Sequence, residues 1–363
     1  MIVRRPSRQI RVGSVLVGGD APISVQSMTS TDTRDWQATV RQIRELEERG
    51  CEIVRVAVPD QEAADALVQI KKLISLPLVA DIHFDHRLAL AAIKAGVDGL
   101  RLNPGNIRDP ERVKQVVLAA KERGIPIRVG VNAGSLPPVE HASADFSPAR
   151  TAERMVAAAM SHIEILERLD FDAIKVSLKA FDVPTTIEAY RRIADLVPYP
   201  LHLGITEAGT PSAGSIRSAV GIGTLLYMGI GDTIRVSLTG DPCEEVRVGY
   251  EILKSLGLRQ HGPVLISCPT CGRIGIDLVS LAAAVEKRLE GISEPIKVAV
   301  MGCVVNGPGE AREADVGIAG GGGKGIVFRG GRIVRTVAED ELLPSLLREM
   351  DLVLSERAGK GGK

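Results

Sequence analysis

Five cysteines occur among 363 residues, and three of them, Cys268, Cys271 and Cys303, fall in one short C-terminal region within SCPTCGR and MGCVVNGPGE. A CxxC pair can offer two sulfurs to one metal, and a third cysteine after a helix and a strand suits either zinc or an iron–sulfur cluster. A structural zinc site wants four ligands, but there is no second CxxC, and the nearest histidine, His261, precedes Cys268 by seven residues. A cluster on three thiolates would leave one iron for another ligand or for a substrate. Cys51 and Cys243, at the starts of a strand-like and a helix-like run, read as ordinary buried thiols.

A second set of chemically capable residues lies inside strand-like runs, where apolar side chains would pack better. Arg55 interrupts IVRVAV, Arg101 LRLN, Arg128 IRVGVN, Lys175 IKVS and Arg235 IRVS. A buried cation needs a partner or solvent. Strand side chains alternate faces, so Arg128 looks out with Asn132, Lys175 with Ser177, Arg235 with Ser237, and Asp81 with His83. Any one of these could snorkel to water or pair with a helix carboxylate. Five on separate strands would together make a polyanion site, with arginine forks matched to phosphate oxygens. Glu207, in GITEAG, is a candidate general acid or base, or the partner of a nearby arginine. His83 ranks above His202 only through its DIH context with Asp81.

These residues are positioned by a repeating pattern. Between Ile23 and Gly240, eight β-branched runs beginning near Ile23, Glu52, Pro77, Gly99, Pro126, Ala173, Pro200 and Thr233 alternate with amphipathic stretches such as DWQATVRQIRELEERG and ERVKQVVLAAKERG. Alternation implies parallel pairing, and eight units close naturally into a (β/α)8 TIM barrel with its functional residues at the C-terminal strand ends. A doubly wound open sheet is the competing architecture, against which the first strand lacks a GxGxxG fingerprint. RQIRVGSVLVGG reads as a hairpin plugging the N-terminal end.

Residues 1–258 are therefore assigned to the barrel and 259–363 to a smaller α+β domain. In the latter the pattern predicts a helix from Ile274 to Leu289, a strand IKVAVMG, two short strands GIVFRG and RIVRTV, a helix from Glu339 and a disordered tail RAGKGGK. GIAGGGGKG is not a Walker A loop, because Ile318 stands where its first glycine is required and Gly325 where Ser or Thr is; a turn between strands is expected there.

Composition excludes several classes. Lys plus Arg and Asp plus Glu both number 45 and aromatics make up 3%, which argues against a nucleic-acid partner. The basic N-terminus is followed by no signal-peptide core, and no segment approaches a membrane span, so a cytoplasmic, soluble protein without a disulfide framework is expected.

Taken in order, VQSMT, VRVAVP, ADIHF, LRLNPGNI, RVGVNAGSL, KVSLKA, LGITEAG, IRVSLTGDP, SCPTCGR and CVVNGPGE resemble the 4-hydroxy-3-methylbut-2-enyl diphosphate synthase family, over nearly the whole chain. The resemblance implies a TIM barrel followed by a cluster domain like that of sulfite and nitrite reductases. It implies one [4Fe-4S] cluster per chain on Cys268, Cys271 and Cys303 with Glu310 as fourth ligand, and a diphosphate held by Arg55, Arg101, Arg128, Asn132, Lys175, Arg235 and Ser237. Glu207 would assist proton transfer and Asn306 would sit beside the cluster. Flavodoxin or ferredoxin would supply electrons, and a homodimer would bring the cluster domain of one subunit over the barrel mouth of the other. The rival readings are a non-redox barrel enzyme, similar to pteroate synthases, with a structural zinc module, and a binding protein that uses the cysteine domain for recognition.

Overall fold

The structure is a computed structural model that describes every residue except 1, 83–84, 108, 138–146, 304–308, 310 and 361–363. Two compact units follow one another, Met1–Arg259 and Gln260–Lys363.

The first unit opens with an antiparallel hairpin, β1 (Ile10–Val12) and β2 (Val15–Val17). Eight parallel strands follow among the described residues: β3 (Ser24–Met28), β4 (Ile53–Ala57), β5 (Leu78–Asp81), β6 (Gly99–Arg101), β7 (Ile127–Asn132), β8 (Ile174–Lys179), β9 (His202–Leu203) and β10 (Thr233–Ile234). Each strand pairs with its neighbour in sequence, β10 pairs with β3, and a parallel bridge from Val176 to Leu201 joins β8 to the start of β9. The sheet thus closes on itself, which excludes the open doubly wound alternative and gives the (β/α)8 barrel that the eight sequence runs predict.

Helices α1 (Trp36–Glu48), α2 (Gln61–Leu73), α3 (His86–Ala95), α4 (Pro110–Arg123), α5 (Pro148–Glu167), α6 (Val183–Leu196), α7 (Pro211–Tyr227) and α8 (Pro242–Ser255) ring the barrel. The loops into them end on a repeated device. Asp35, Asp60, Asp85, Asp109, Ser147, Asp182 and Asp241 each accept a backbone N–H of the first turn, satisfying one of the helix's orphan donors. Gly96 and Gly124 close α3 and α4.

Strand parity divides the barrel. One set of side chains, including Val54, Val56, Leu78, Leu100, Ile127, Ile174, Val176 and Leu178, is buried in the main apolar core with the helices. The other set points inward and is mostly polar, so the interior lacks the layered apolar filling usual for this fold. At the N-terminal end the exception is an apolar floor in which Ile10, Val12 and Val17 of the hairpin pack with Ile53 and Val79. The hairpin therefore plugs that end, as its position in the sequence suggests.

The second unit is a five-stranded mixed sheet in the order β11 (Val264–Ser267), β12 (Lys297–Met301), β13 (Val316–Gly321), β14 (Lys324–Arg329), β15 (Arg332–Ala338), with helices α9 (Leu278–Leu289) and α10 (Leu342–Lys360). Three expectations need correction here. The α9 helix starts at Leu278 rather than Ile274, because Asp277 caps it by accepting the Ser280 N–H at 3.2 Å. The expected turn between strands is confined to Gly322 and Gly323, and the rest of the glycine-rich run is strand β13 and the start of β14. A glycine is required at 317 by packing, since a Cβ there would lie 2.3 Å from the Phe328 ring. The tail continues α10 as far as Lys360, with Arg357 bound to Asp315 and to the Pro295 carbonyl.

Val17 is fully buried in the floor whereas Val3 is 85% exposed. Val17→Asp places an unpaired charge there and is expected to destabilise the barrel by more than about 3 kcal/mol, while Val3→Asp changes stability by no more than about 0.5 kcal/mol, as read by denaturant unfolding.

Candidate functional site

At the C-terminal strand ends of the barrel lies a cavity of about 100 Å³ lined by Arg55, Asp81, Arg101, Arg128, Asn132, Ser177, Lys179, Thr206, Arg235 and Ser237. Strand alternation explains the list. In β8, Lys175, Ser177 and Lys179 share the inward face, and in β7 Arg128 and Asn132 do.

Two carboxylates organise the cations. Asp81 lies between Arg55, at 3.5 Å, and Arg101, at 3.3 Å. Glu245, in the first turn of α8, accepts from Arg235 at 3.2 Å, from Ser27 Oγ at 3.1 Å and from the Leu238 N–H at 3.0 Å. Asn103 exchanges two 2.9 Å hydrogen bonds with the Gly130 backbone, whose carbonyl also accepts from Arg101 Nη2 at 3.2 Å. Arg128 is anchored by no carboxylate: its Nε and Nη1 are buried without a hydrogen-bond partner, as is Lys175 Nζ, among the described residues.

Among the described residues, six cationic side chains, the buried Arg55, Arg101, Arg128, Lys175 and Lys179 and the part-buried Arg235, therefore gather around two carboxylates. Their electrostatics record the crowding. Burial, then Arg128 and Arg55, pulls the Lys175 ammonium down to about 7, and burial pulls Arg55 down to about 10 against the opposing pull of Asp81. Burial followed by Arg55 and Arg101 lowers Arg128 well below its ordinary value. Arginine stays cationic in practice, so the strain is expressed as affinity for anions.

The cavity brings together Arg55, Asp81, Arg101, Arg128, Asn132, Ser177, Arg235 and Ser237 of the sequence-predicted set. Lys175 does not line it and lies buried within the barrel, 3% exposed. Glu207 is exposed just beyond β9 and does not line it either; its backbone takes the left-handed φ of 54°, a costly conformation for a non-glycine residue that is enriched at functional sites. His83 lies outside the described residues. Sequence reasoning missed Lys179, Thr206, Asn103 and Glu245. Lys179 was accessible through parity with Lys175 and Ser177, whereas Glu245 reaches the site from a helix and carries no local signal.

In the second unit, β11 and β12 run parallel with Ser267 opposite Val300, so Cys268 and Cys303 follow neighbouring strand ends. The Gly302 N–H donates to Cys268 Sγ at 3.2 Å, and the Gly275 N–H donates to the Gly302 carbonyl at 3.0 Å, tying the CxxC loop to the third cysteine's segment. Cys268 and Cys303 are half-buried and Cys271 is exposed. Among the described residues no group of three or more His, Cys, Asp or Glu stands at metal-ligating separation; Asn306 and Glu310 lie outside them. Cys51 is buried, with its thiol pushed up to about 12 by desolvation, and Cys243 is only partly buried.

Lys175 gives a test of this charge distribution. In the unfolded chain it titrates near 10.5 and in the barrel near 7, so between those values the unfolded chain binds more protons and stability rises with pH. Lys175→Met is expected to stabilise the barrel by a few kcal/mol at pH 6.5, with a gain that shrinks steadily toward pH 10, measured by denaturant unfolding across that range.

Comparison with known proteins places the two units in one family. Residues 7–250 match the GcpE TIM-barrel domain and residues 264–352 the GcpE protein C-terminal domain. A relative from Dehalococcoides mccartyi strain BAV1, named 4-hydroxy-3-methylbut-2-en-1-yl diphosphate synthase (flavodoxin), is 66% identical over 96% of this chain and 99% of its own. A relative of the same name from Geobacter sulfurreducens is 60% identical over 98% of this chain and all of its own. Among solved structures, dihydropteroate synthase from Stenotrophomonas maltophilia is 15% identical with a TM-score of 0.52, covering 69% of this chain and 97% of that one, a likeness of fold alone. With both domain models matched in order and relatives this similar across nearly its whole length, the chain belongs to the GcpE family.

Proposed function

We propose that the chain is an oxidoreductase of the kind its relatives are named for, a 4-hydroxy-3-methylbut-2-enyl diphosphate synthase of non-mevalonate isoprenoid biosynthesis. Its substrate is 2-C-methyl-D-erythritol 2,4-cyclodiphosphate. Reductive ring opening consumes two electrons and two protons, releases one water and yields 4-hydroxy-3-methylbut-2-enyl diphosphate. The observation that carries this reading is the barrel cavity in which buried cations outnumber carboxylates, a match for a cyclic diphosphate.

Within that cavity the arginines grip phosphate oxygens, and Asn132, Ser177 and Ser237 supply neutral hydrogen bonds that fix orientation. Asp81 and Glu245 hold the Arg55, Arg101 and Arg235 forks in place before substrate arrives, so little reorganisation is needed on binding. Glu207, exposed just beyond β9, would exchange a proton with the oxygen that leaves.

One [4Fe-4S] cluster per chain is assigned to Cys268, Cys271 and Cys303, with Glu310 as fourth ligand and Asn306 beside it. The residues present fit that group: adjacent strand ends deliver two of the thiols, and the Gly302 N–H on Cys268 Sγ stabilises thiolate charge as cluster sulfurs require. When bound, the cluster supplies one-electron transfer, which zinc does not. Electrons come from flavodoxin or ferredoxin.

The active form is a homodimer. Arg259, the last barrel residue, bonds the Ile23 carbonyl at 2.8 Å and Glu52 at 3.2 Å, so the chain leaves the barrel at the N-terminal rim, opposite the cavity. Among the described residues no helix is long and apolar enough to cross a membrane, and the protein is assigned to the cytoplasm.

Anaerobically purified protein should contain about four iron and four acid-labile sulfide per chain and turn over the cyclodiphosphate with reduced flavodoxin. Stoichiometric zinc without sulfide after attempted cluster reconstitution would overturn the assignment. Glu310→Ala is expected to keep much of the cluster absorbance but lose most turnover. Arg128→Ala should weaken substrate binding about tenfold or more while leaving the cluster spectrum unchanged.

A further inference from the structure

His202 is fully buried on the inward face of β9, yet it has no role in the scheme above. Its Nε2 lies 3.4 Å from Lys179 Nζ, a cavity-lining group, while its Nδ1 has no hydrogen-bond partner. The backbone that carries the ring is anchored to β8. The Tyr190 hydroxyl donates to the His202 carbonyl and accepts the Leu178 N–H at 3.1 Å, linking β9 to β8. Gly204, the next inward position just past β9, leaves the space that the lysine occupies: a Cβ there would lie 2.5 Å from Lys179 Nζ.

The charged groups facing this pair come from every surrounding element. Arg128 on β7, Arg55 on β4, Arg235 beyond β10 and Lys175 on β8 itself are cationic, and Glu245 on α8 is the nearby anion. Burial followed by those cations lowers Lys179 well below its ordinary value, and burial followed by Lys179 keeps the imidazole neutral. A carboxylate at position 202 would neutralise the lysine permanently. A neutral imidazole instead fixes the amine while leaving its charge open to change.

From this geometry we infer that His202 is a positioning residue that holds the Lys179 amine at the cavity wall, and that Lys179 takes up one proton from solvent as an anion enters. The step balances as amine plus proton giving ammonium, with the anion supplying the compensating charge. It rests on the diphosphate reading of the cavity and adds to it a proton-coupled binding step.

The test is calorimetric titration of the whole protein, without reductant, in two buffers of different ionisation heat at pH 8. Sulfate and the cyclodiphosphate serve as probes, since neither titrates near that pH. The expected result is net proton uptake with both anions, preserved in Lys175→Met. His202→Gln keeps a neutral acceptor and should bind within about threefold of the parent, with uptake intact. His202→Glu should bind about tenfold more weakly or worse and lose the uptake, because its carboxylate charges the lysine beforehand. Binding of both anions without proton uptake would overturn the inference and leave the diphosphate reading standing. Uptake with sulfate but no binding of the cyclodiphosphate would do the reverse. Equal losses in the Gln and Glu variants would reduce His202 to a structural residue, and uptake lost in Lys175→Met would reassign the proton; either overturns the inference.

Discussion

Positive charge buried inside the barrel is the constraint around which the first unit is built. Desolvating several cations with two carboxylates to share is costly, and the fold offsets that cost elsewhere. Apolar side chains of the outward parity fill the layer between strands and helices, where the main core lies. The hairpin and the first strand residues close the floor with a small apolar cluster, so that water is excluded from the end where no ligand enters. Stability is thus drawn from the shell and the floor, and the interior is left free for electrostatics.

Within the interior the carboxylates do more than cancel charge. Asp81 bridges two guanidiniums from adjacent strands, and Glu245 joins β10 to β3 through Arg235, Ser27 and the Leu238 N–H. Each therefore fixes fork orientation as well as local potential, which is what an anion site needs if binding is not to be spent on rearrangement. Arg128 and the β8 lysines are left without such anchors and are the groups most strained by burial. An entering polyanion would relieve those groups most, because its charge offsets the cost of burying them.

The second unit solves a different problem. Segments bearing Cys268 and Cys303 are brought to neighbouring strand ends, with Cys268 packed against the apolar residues beneath. Parallel pairing of β11 with β12 brings two thiol-bearing segments out side by side, and backbone N–H groups of the intervening loops point at sulfur and carbonyl. Apolar packing is kept below, in Val298, Val300, Val316 and Ile318 with helices α9 and α10.

The sequence by itself determined the eight-fold alternation, the parallel pairing and the shared face of Arg128 with Asn132 and of Lys175 with Ser177, because a period of two and alternating strand and helix patterns are local properties, whereas closure of the sheet was decided by the long-range pairing of β10 with β3. It also marked the cysteine spacing. It did not reveal β13, whose glycines lack strand propensity, Gly317 leaving room for the Phe328 ring and Gly320 for Ile276, nor the α10 turn that Arg357 holds through residues far away in sequence. Depth inside the barrel was equally hidden: parity put Lys175 on the inward face, but only the closed sheet decided that it sits away from the cavity while Lys179, four residues on, lines it. Glu245 and His202 became site residues through tertiary structure alone, since a helix carboxylate and a short-strand histidine acquire a cationic neighbour only when the barrel closes and brings β8, β9 and α8 together.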